Sequence, residues 1–88
     1  MQTEPERNKY SVCQFFEDDH YEFVRRFVGS KEAVETAIHY ATSIGARLGT
    51  TNRVIITDGG DCCCWEWKFD KGITFPPQFA GKLKKGIR

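Results

Sequence analysis

The sequence predicts an α+β fold: a two-layer β-β-α-β-β domain, with one helix packed on one face of a four-stranded antiparallel sheet. Two pairs of runs rich in aromatic and β-branched residues, each pair joined by a few turn-forming residues, predict two hairpins. Between the pairs, one stretch carries apolar residues at spacings of three and four, which predicts the helix. The chain has 88 residues, room for a single domain.

Residues 1–9 are polar, carry Pro5 and show no periodicity, so they read as a flexible arm. YSVCQFF, from Tyr10 to Phe16, is the first strand. EDDH supplies acidic turn residues, and YEFVRRFV, from Tyr21 to Val28, returns as the second strand. Ser30 is suited to cap a helix, since its hydroxyl accepts from a first-turn amide, and Glu32 suits the positive end of the helix dipole. Val34, Ala37, Ile38, Ala41, Ile44 and Leu48 then form one apolar stripe along a helix over residues 31–48, closed by Gly49. Gly45 inside that stripe implies a close packing contact. RVIIT, from Arg53 to Thr57, is the third strand. DGGD turns, and CCCWEWKF is the fourth. ITF extends briefly before Pro76 and Pro77 stop further pairing. The domain therefore spans residues 10–77, followed by a basic tail over residues 78–88.

Alternation along strands divides their side chains between two faces. Cys63, Trp65, Trp67 and Phe69 share one face of the fourth strand; Tyr21, Phe23, Arg25 and Phe27 share one face of the second. The helix stripe can bury only one face of the sheet, yet the first three strands are bulky and apolar on both. An aromatic and aliphatic face rimmed by Glu22, Arg25, Arg26 and Lys68 is left over, and such a face reads as a partner surface. The competing arrangement has the tail folding back over it with Phe75, Phe79 and Leu83. Aromatic residues make up 14% of the chain, which concentrates in them most of the burial that so small a core can supply. The expected contact residues are Phe23, Arg25, Phe27, Trp65 and Trp67, because aromatics and arginine are the usual interface anchors.

The run Cys62, Cys63, Cys64 looks like a site. Consecutive residues on a strand point alternately to opposite faces, so three thiols cannot converge on one metal there. Cys62 and Cys64 point the same way and would need Cys13 or His20 from a neighbouring strand to complete a set. No C-x-x-C redox motif occurs. Packing as small apolar residues is the expected role, with Cys13, Cys62 and Cys64 the metal or redox alternative. Asp58 and Asp61 bracket a glycine turn and are too few to hold calcium unaided. Glu17, Asp18, Asp19 and His20 read as solvated turn residues, and His39 with Glu35 as a surface pair. No nucleophile, base and stabiliser can be placed together, so no enzyme and no cofactor are expected.

A nucleic-acid binder is the runner-up: sheet aromatics stack bases, and Lys82, Lys84, Lys85 and Arg88 hold phosphates. Against it, the net charge is only +1 and no RNP-type string is present. No apolar run is long enough to span a membrane. The opening residues lack a secretory signal's apolar stretch, and four cysteines then imply reduced thiols in the cytoplasm.

YSVCQFF, YEFVRRFV and RVIITDGGDCCCWEWKF together resemble uncharacterised small bacterial single-domain β-β-α-β-β proteins, over residues 10–77. In size and layout alone the chain is also similar to some phage-encoded inhibitors, including certain anti-CRISPR proteins. These resemblances imply a binding protein and no catalytic residues. The expectation is a small non-enzymatic protein-binding module, a homodimer or an inhibitor or adaptor, acting through an aromatic sheet face.

Overall fold

The hydrophobic runs pair into one antiparallel sheet of five strands in the order β2-β1-β3-β4-β5. The structure is a computed structural model that describes residues 8–60 and 62–84. The strands are β1 (Tyr10–Phe16), β2 (Tyr21–Val28), β3 (Thr51–Thr57), β4 (Cys63–Lys68) and β5 (Gly72–Phe75). The helices α1 (Ser30–Ala41) and α2 (Ile44–Leu48) separate β2 from β3, and a 3-10 turn (Pro77–Phe79) follows β5. The α+β class and the single main helix are as expected.

Four details differ from the sequence reading. The sheet has a fifth strand because the ITF segment turns back through Gly72, whose φ of +78° favours glycine, and pairs Ile73 with Trp67. Its prolines then end the pairing as anticipated. The long helix breaks at Thr42 and Ser43. Thr42 Oγ1 donates back to the Ile38 carbonyl at 2.7 Å, and Ser43 Oγ accepts from the Ala46 amide at 3.1 Å, starting a second helix. At the first helix it is Gly29, not Ser30, that takes the cap position, in extended conformation. Gly45 does mark a close approach: a Cβ there would lie 3.0 Å from Thr51 Oγ1.

The fourth difference is in the buried stripe. The helices turn Ala33, Ala37, Ala41 and Ala46 inward, while Val34, Ile38, Ile44 and Leu48 are exposed. The bulk of the core comes from the sheet instead: Val12, Val54, Ile56, Trp65, Trp67 and Ile73 are buried in the same cluster as the four alanines. With large side chains already standing on the strands, small ones let a helix settle close to them. Beside this cluster Gln14 is buried yet fully engaged. It accepts from Thr51 Oγ1 at 2.9 Å and donates to Glu22 at 3.1 Å.

Residues 1–7 and 85–88, which include most of the expected arm and the end of the tail, lie outside the described residues. The start of the tail is part of the domain. Ile73 N–H donates to the Lys82 carbonyl at 2.8 Å, and Gly81 N–H donates to the Ile73 carbonyl at 2.9 Å. The indole N–H of Trp67 donates to the Leu83 carbonyl at 2.9 Å, and Leu83 packs on the core. The tail thus lines the β5 edge, and Phe75 and Phe79 stay exposed.

A Cβ on Gly72 would lie 2.6 Å from the Lys82 carbonyl oxygen, at a φ that L side chains rarely adopt. Gly72→Ala should therefore lower the unfolding free energy by about 2 kcal/mol or more. Urea unfolding followed by tryptophan fluorescence checks this; an unchanged midpoint would show that the tail is not docked there.

Candidate functional site: the open face of the sheet

The pairing register shows which residues share the face opposite the helices. Phe23, Cys13, Ile55 and Glu66 form one row across β2, β1, β3 and β4, and Tyr21, Phe15, Arg53 and Lys68 form the next. The helices pack against the other face, where the core cluster lies. Tyr21 is 60% exposed and Phe23 37%, so this second face keeps accessible aromatic surface.

A bulge in β2 decides what reaches it. Val12 pairs with Arg25 while its neighbour Cys13 pairs with Phe23, so Val24 is an extra residue. Past the bulge the alternation is shifted. Arg25 falls on the helix side, with its Nε 3.5 Å from Glu32, and Arg26 reaches the open face over the Phe23 ring.

A ribbon of planar groups results. The Arg26 guanidinium lies 4.2 Å from the Phe23 ring centre. Phe23 and Tyr21 meet edge to face at 6.1 Å, and Tyr21 lies 5.6 Å from Phe15. Arg53 closes the row 4.8 Å from the Phe15 ring centre. Each exposed cation–π contact contributes about 0.5–1 kcal/mol, a modest bias toward arginines lying over the rings.

Glu66 is the one carboxylate on the strand residues of this face, and it is engaged. Arg53 Nε donates to its Oε2 and Thr74 Oγ1 donates to its Oε1, both at 2.5 Å. Burial alone would raise the Glu66 pKa; the hydrogen bonds from Thr74 and Arg53, with the charges of Arg53 and Lys68, outweigh it and hold the carboxyl below its ordinary range.

Of the expected contact residues, Phe23 lies on this face. Trp65 and Trp67 do not: they are 7% and 0% exposed and form the core on the helix side. Helix packing takes that face of β4 because its pleat is in register with Val54 and Ile56. Arg25 is displaced to the helix side by the bulge. Phe27 is exposed near the end of β2, with a φ of +56° and its amide donating to Ser11 Oγ at 3.2 Å. Phe15, Tyr21 and Arg53 belong to the face and were not among the expected contact residues, and Arg26, expected at its rim, lies over the Phe23 ring. The hairpin itself carried a signal for Phe15 and Tyr21, since they flank its turn.

The cysteines do not assemble. Cys13 is separated from β4 by β3, a distance of about 9–10 Å across two strand spacings. Cys62 and Cys63 are exposed, and Cys64 is the extra residue of a second bulge, partly buried against the core. Among the described residues no three His, Cys, Asp or Glu side chains come together as a metal site. Burial raises the pKa of Cys13, Cys63 and Cys64, which lowers their thiolate fraction.

The remaining polar groups serve turns. Asp58 accepts from the Gly60 and Cys62 amides at 2.8 and 3.1 Å, which lowers its pKa and closes the β3–β4 hairpin; Asp61 lies outside the described residues. The Asp18 carboxylate takes a 2.8 Å contact from His20 Nδ1 at the exposed tip of the first hairpin. Arg25, Glu35, Thr36, His39 and Tyr40 line a shallow groove of about 310 Å³ between α1 and β2. Of the basic residues in the tail, Lys82 and Lys84 are exposed near the β5 edge, and Lys85 and Arg88 lie outside the described residues. Among the described residues no helix is long and apolar enough to cross a membrane.

Comparison with protein-family models, curated proteins and solved structures finds no match to this chain.

The depressed pKa of Glu66 links stability to pH. Its contribution is complete above the ordinary glutamate value of 4.5 and is lost as pH falls through the lower value in the folded chain. Glu66→Gln should cost about 1–3 kcal/mol near neutral pH, and the deficit should shrink on acidification. Urea unfolding of both proteins across that range tests this, and a pH-independent difference would contradict it. Separately, a thiol reagent should label Cys62 and Cys63 in the native protein, whereas Cys13, at 2% exposure, should react only on unfolding. Mass mapping of the labelled sites decides the point.

Proposed function

We propose that the chain is a non-enzymatic binding module whose working surface is the open face of its sheet. One observation carries this reading: the ribbon Arg26–Phe23–Tyr21–Phe15–Arg53 stands on a face that the helices leave uncovered. Exposed aromatics interleaved with arginine have the composition of interaction hot spots. The domain supports them on paired strands, so the surface is ordered before any partner arrives, which lowers the entropic cost of binding.

Two classes of macromolecule fit such a face: a protein, including a second copy of this chain, or a nucleic acid. A second copy placed face to face would bring the cations Arg26 and Lys68 of both copies into one interface, which opposes that arrangement. An inhibitor or adaptor contact with a different, anionic partner does not meet this repulsion.

Photocrosslinking in a lysate of the source cell tests the surface assignment. A benzophenone side chain replacing Tyr21 should capture a macromolecule, whereas the same group replacing exposed Ile38 on α1 should not. Equal capture from both positions, or capture from Ile38 alone, would locate the working surface elsewhere.

A further inference from the structure

We infer that the occupant of the open face is a single-stranded nucleic acid, with bases stacked on Tyr21, Phe23 and Phe15 and phosphates held by Arg26 and Lys68. This inference rests on the open-face reading and names its ligand class.

Charge is the first ground. The net charge of +1 conceals a sorting by face. On the strand residues of the open face stand Arg26, Arg53 and Lys68, with Glu66 as the single carboxylate. Glu66 is committed to Arg53 and Thr74, so the strand charges left to a partner are those of Arg26 and Lys68, while the carboxylates of Glu17, Asp18 and Asp19 stand at the hairpin tip beyond Tyr21. The helix side carries both signs, including Glu22, which bonds Gln14, and Glu32, which faces Arg25. A polyanion is therefore met by unpaired strand cations toward the middle of the open face, away from the acidic hairpin tip.

Geometry is the second ground. Three aromatic rings stand in a row, with successive centres 5.6 and 6.1 Å apart and planes inclined by 44° and 90°, and the guanidinium groups of Arg53 and Arg26 lie over the two end rings. Aromatic rings and guanidinium planes are the two side-chain platforms on which bases stack. A single strand brings one planar base and one phosphate per repeat, and the face offers both kinds of partner, a row of rings flanked by cations. A duplex keeps its bases stacked on each other and would offer this face only phosphates. An acidic protein would answer the charges but does not present a planar group with every charge.

The basic tail is a separate feature. Lys82 and Lys84 lie at the β5 edge, whereas Tyr21 is on β2, four strand spacings or about 19 Å away across the sheet. The two sources of positive charge can therefore be varied independently.

The test is fluorescence anisotropy with labelled oligothymidylate and oligouridylate, titrated with the full chain at about 50 and 200 mM salt. Contact with two or three phosphates predicts roughly tenfold weaker binding at the higher salt. Tyr21→Leu and Phe23→Leu, which keep an apolar side chain of similar bulk, should each weaken binding at least about fivefold through lost stacking. Lys68→Glu should both weaken binding and flatten the salt dependence, and Ile38→Ser on the helix side should leave it unchanged. Unfolding midpoints confirm that each variant is folded. A duplex of the same length should bind more weakly than either single strand, and the two oligonucleotides separate DNA from RNA.

The absence of a salt-sensitive signal overturns the nucleic-acid inference. If Tyr21 still crosslinks to a protein in that case, the open-face reading stands with a protein as its partner. If the oligonucleotides bind the Tyr21 and Phe23 variants as tightly as the wild type, and binding is lost with Lys82→Glu and Lys84→Glu, the tail is the binding element. That result overturns the inference as well.

Discussion

The fully buried core residues of the helices are all alanine, and the two tryptophans of β4 are the largest of the strand residues that supply the bulk they lack. Removing a buried aromatic of this kind costs about 3–5 kcal/mol. For a chain of this size the whole margin is only about 5–10 kcal/mol, so Trp65 and Trp67 carry a large share of it. Trp67 carries a second duty. Its ring is wholly buried while its N–H holds the Leu83 carbonyl, so the same side chain fills the core and anchors the segment beyond β5.

That division of labour determines how the rest of the sheet is exposed. With the helix-side layer filled from the strands, the branched aliphatics of α1 and α2 turn to solvent, and among the described residues the opposite face of the sheet receives no second layer. The face is not simply apolar. Arginines lie over two of its rings, and Glu66 is paired with Arg53 and hydrogen-bonded by Thr74. The cations cover part of the aromatic surface in the free protein and present it to a charged ligand. The bulge at Val24 is what makes this possible, because without the extra residue Arg26 would point toward the helices.

The sequence was informative wherever a property depends on one strand or one turn. The order of elements, the hairpins, the close packing at Gly45 and the stop at the prolines all follow from local residue chemistry. So does the prospect of an uncovered face, since one amphipathic helix cannot cover two sides. What failed depends on registers between elements. The rotation of α1 about its axis chose Ala33, Ala37 and Ala41 over Val34 and Ile38, although both sets lie at helical spacing. The phase of β4 put both tryptophans inward, and a single inserted residue in β2 exchanged the roles of Arg25 and Arg26. A bulge has no composition of its own, so alternation alone could not find it. The short β5 was missed because two prolines follow it and its strand-forming run is only three residues long. The cysteine triplet drew attention by its rarity, but its chemistry is that of strand and bulge positions.

The tail's hold on Ile73 makes the two margins of the sheet unequal. Main-chain groups of β5 are already engaged by Gly81 and Lys82, whereas β2 presents its outer side to solvent. Open-ended growth by adding molecule to molecule needs two available margins, one to give and one to receive. With one margin occupied, any strand-to-strand joining of identical chains has to be reciprocal and ends at a pair. The residues after β5 thereby occupy one of the two margins that open-ended strand addition would need.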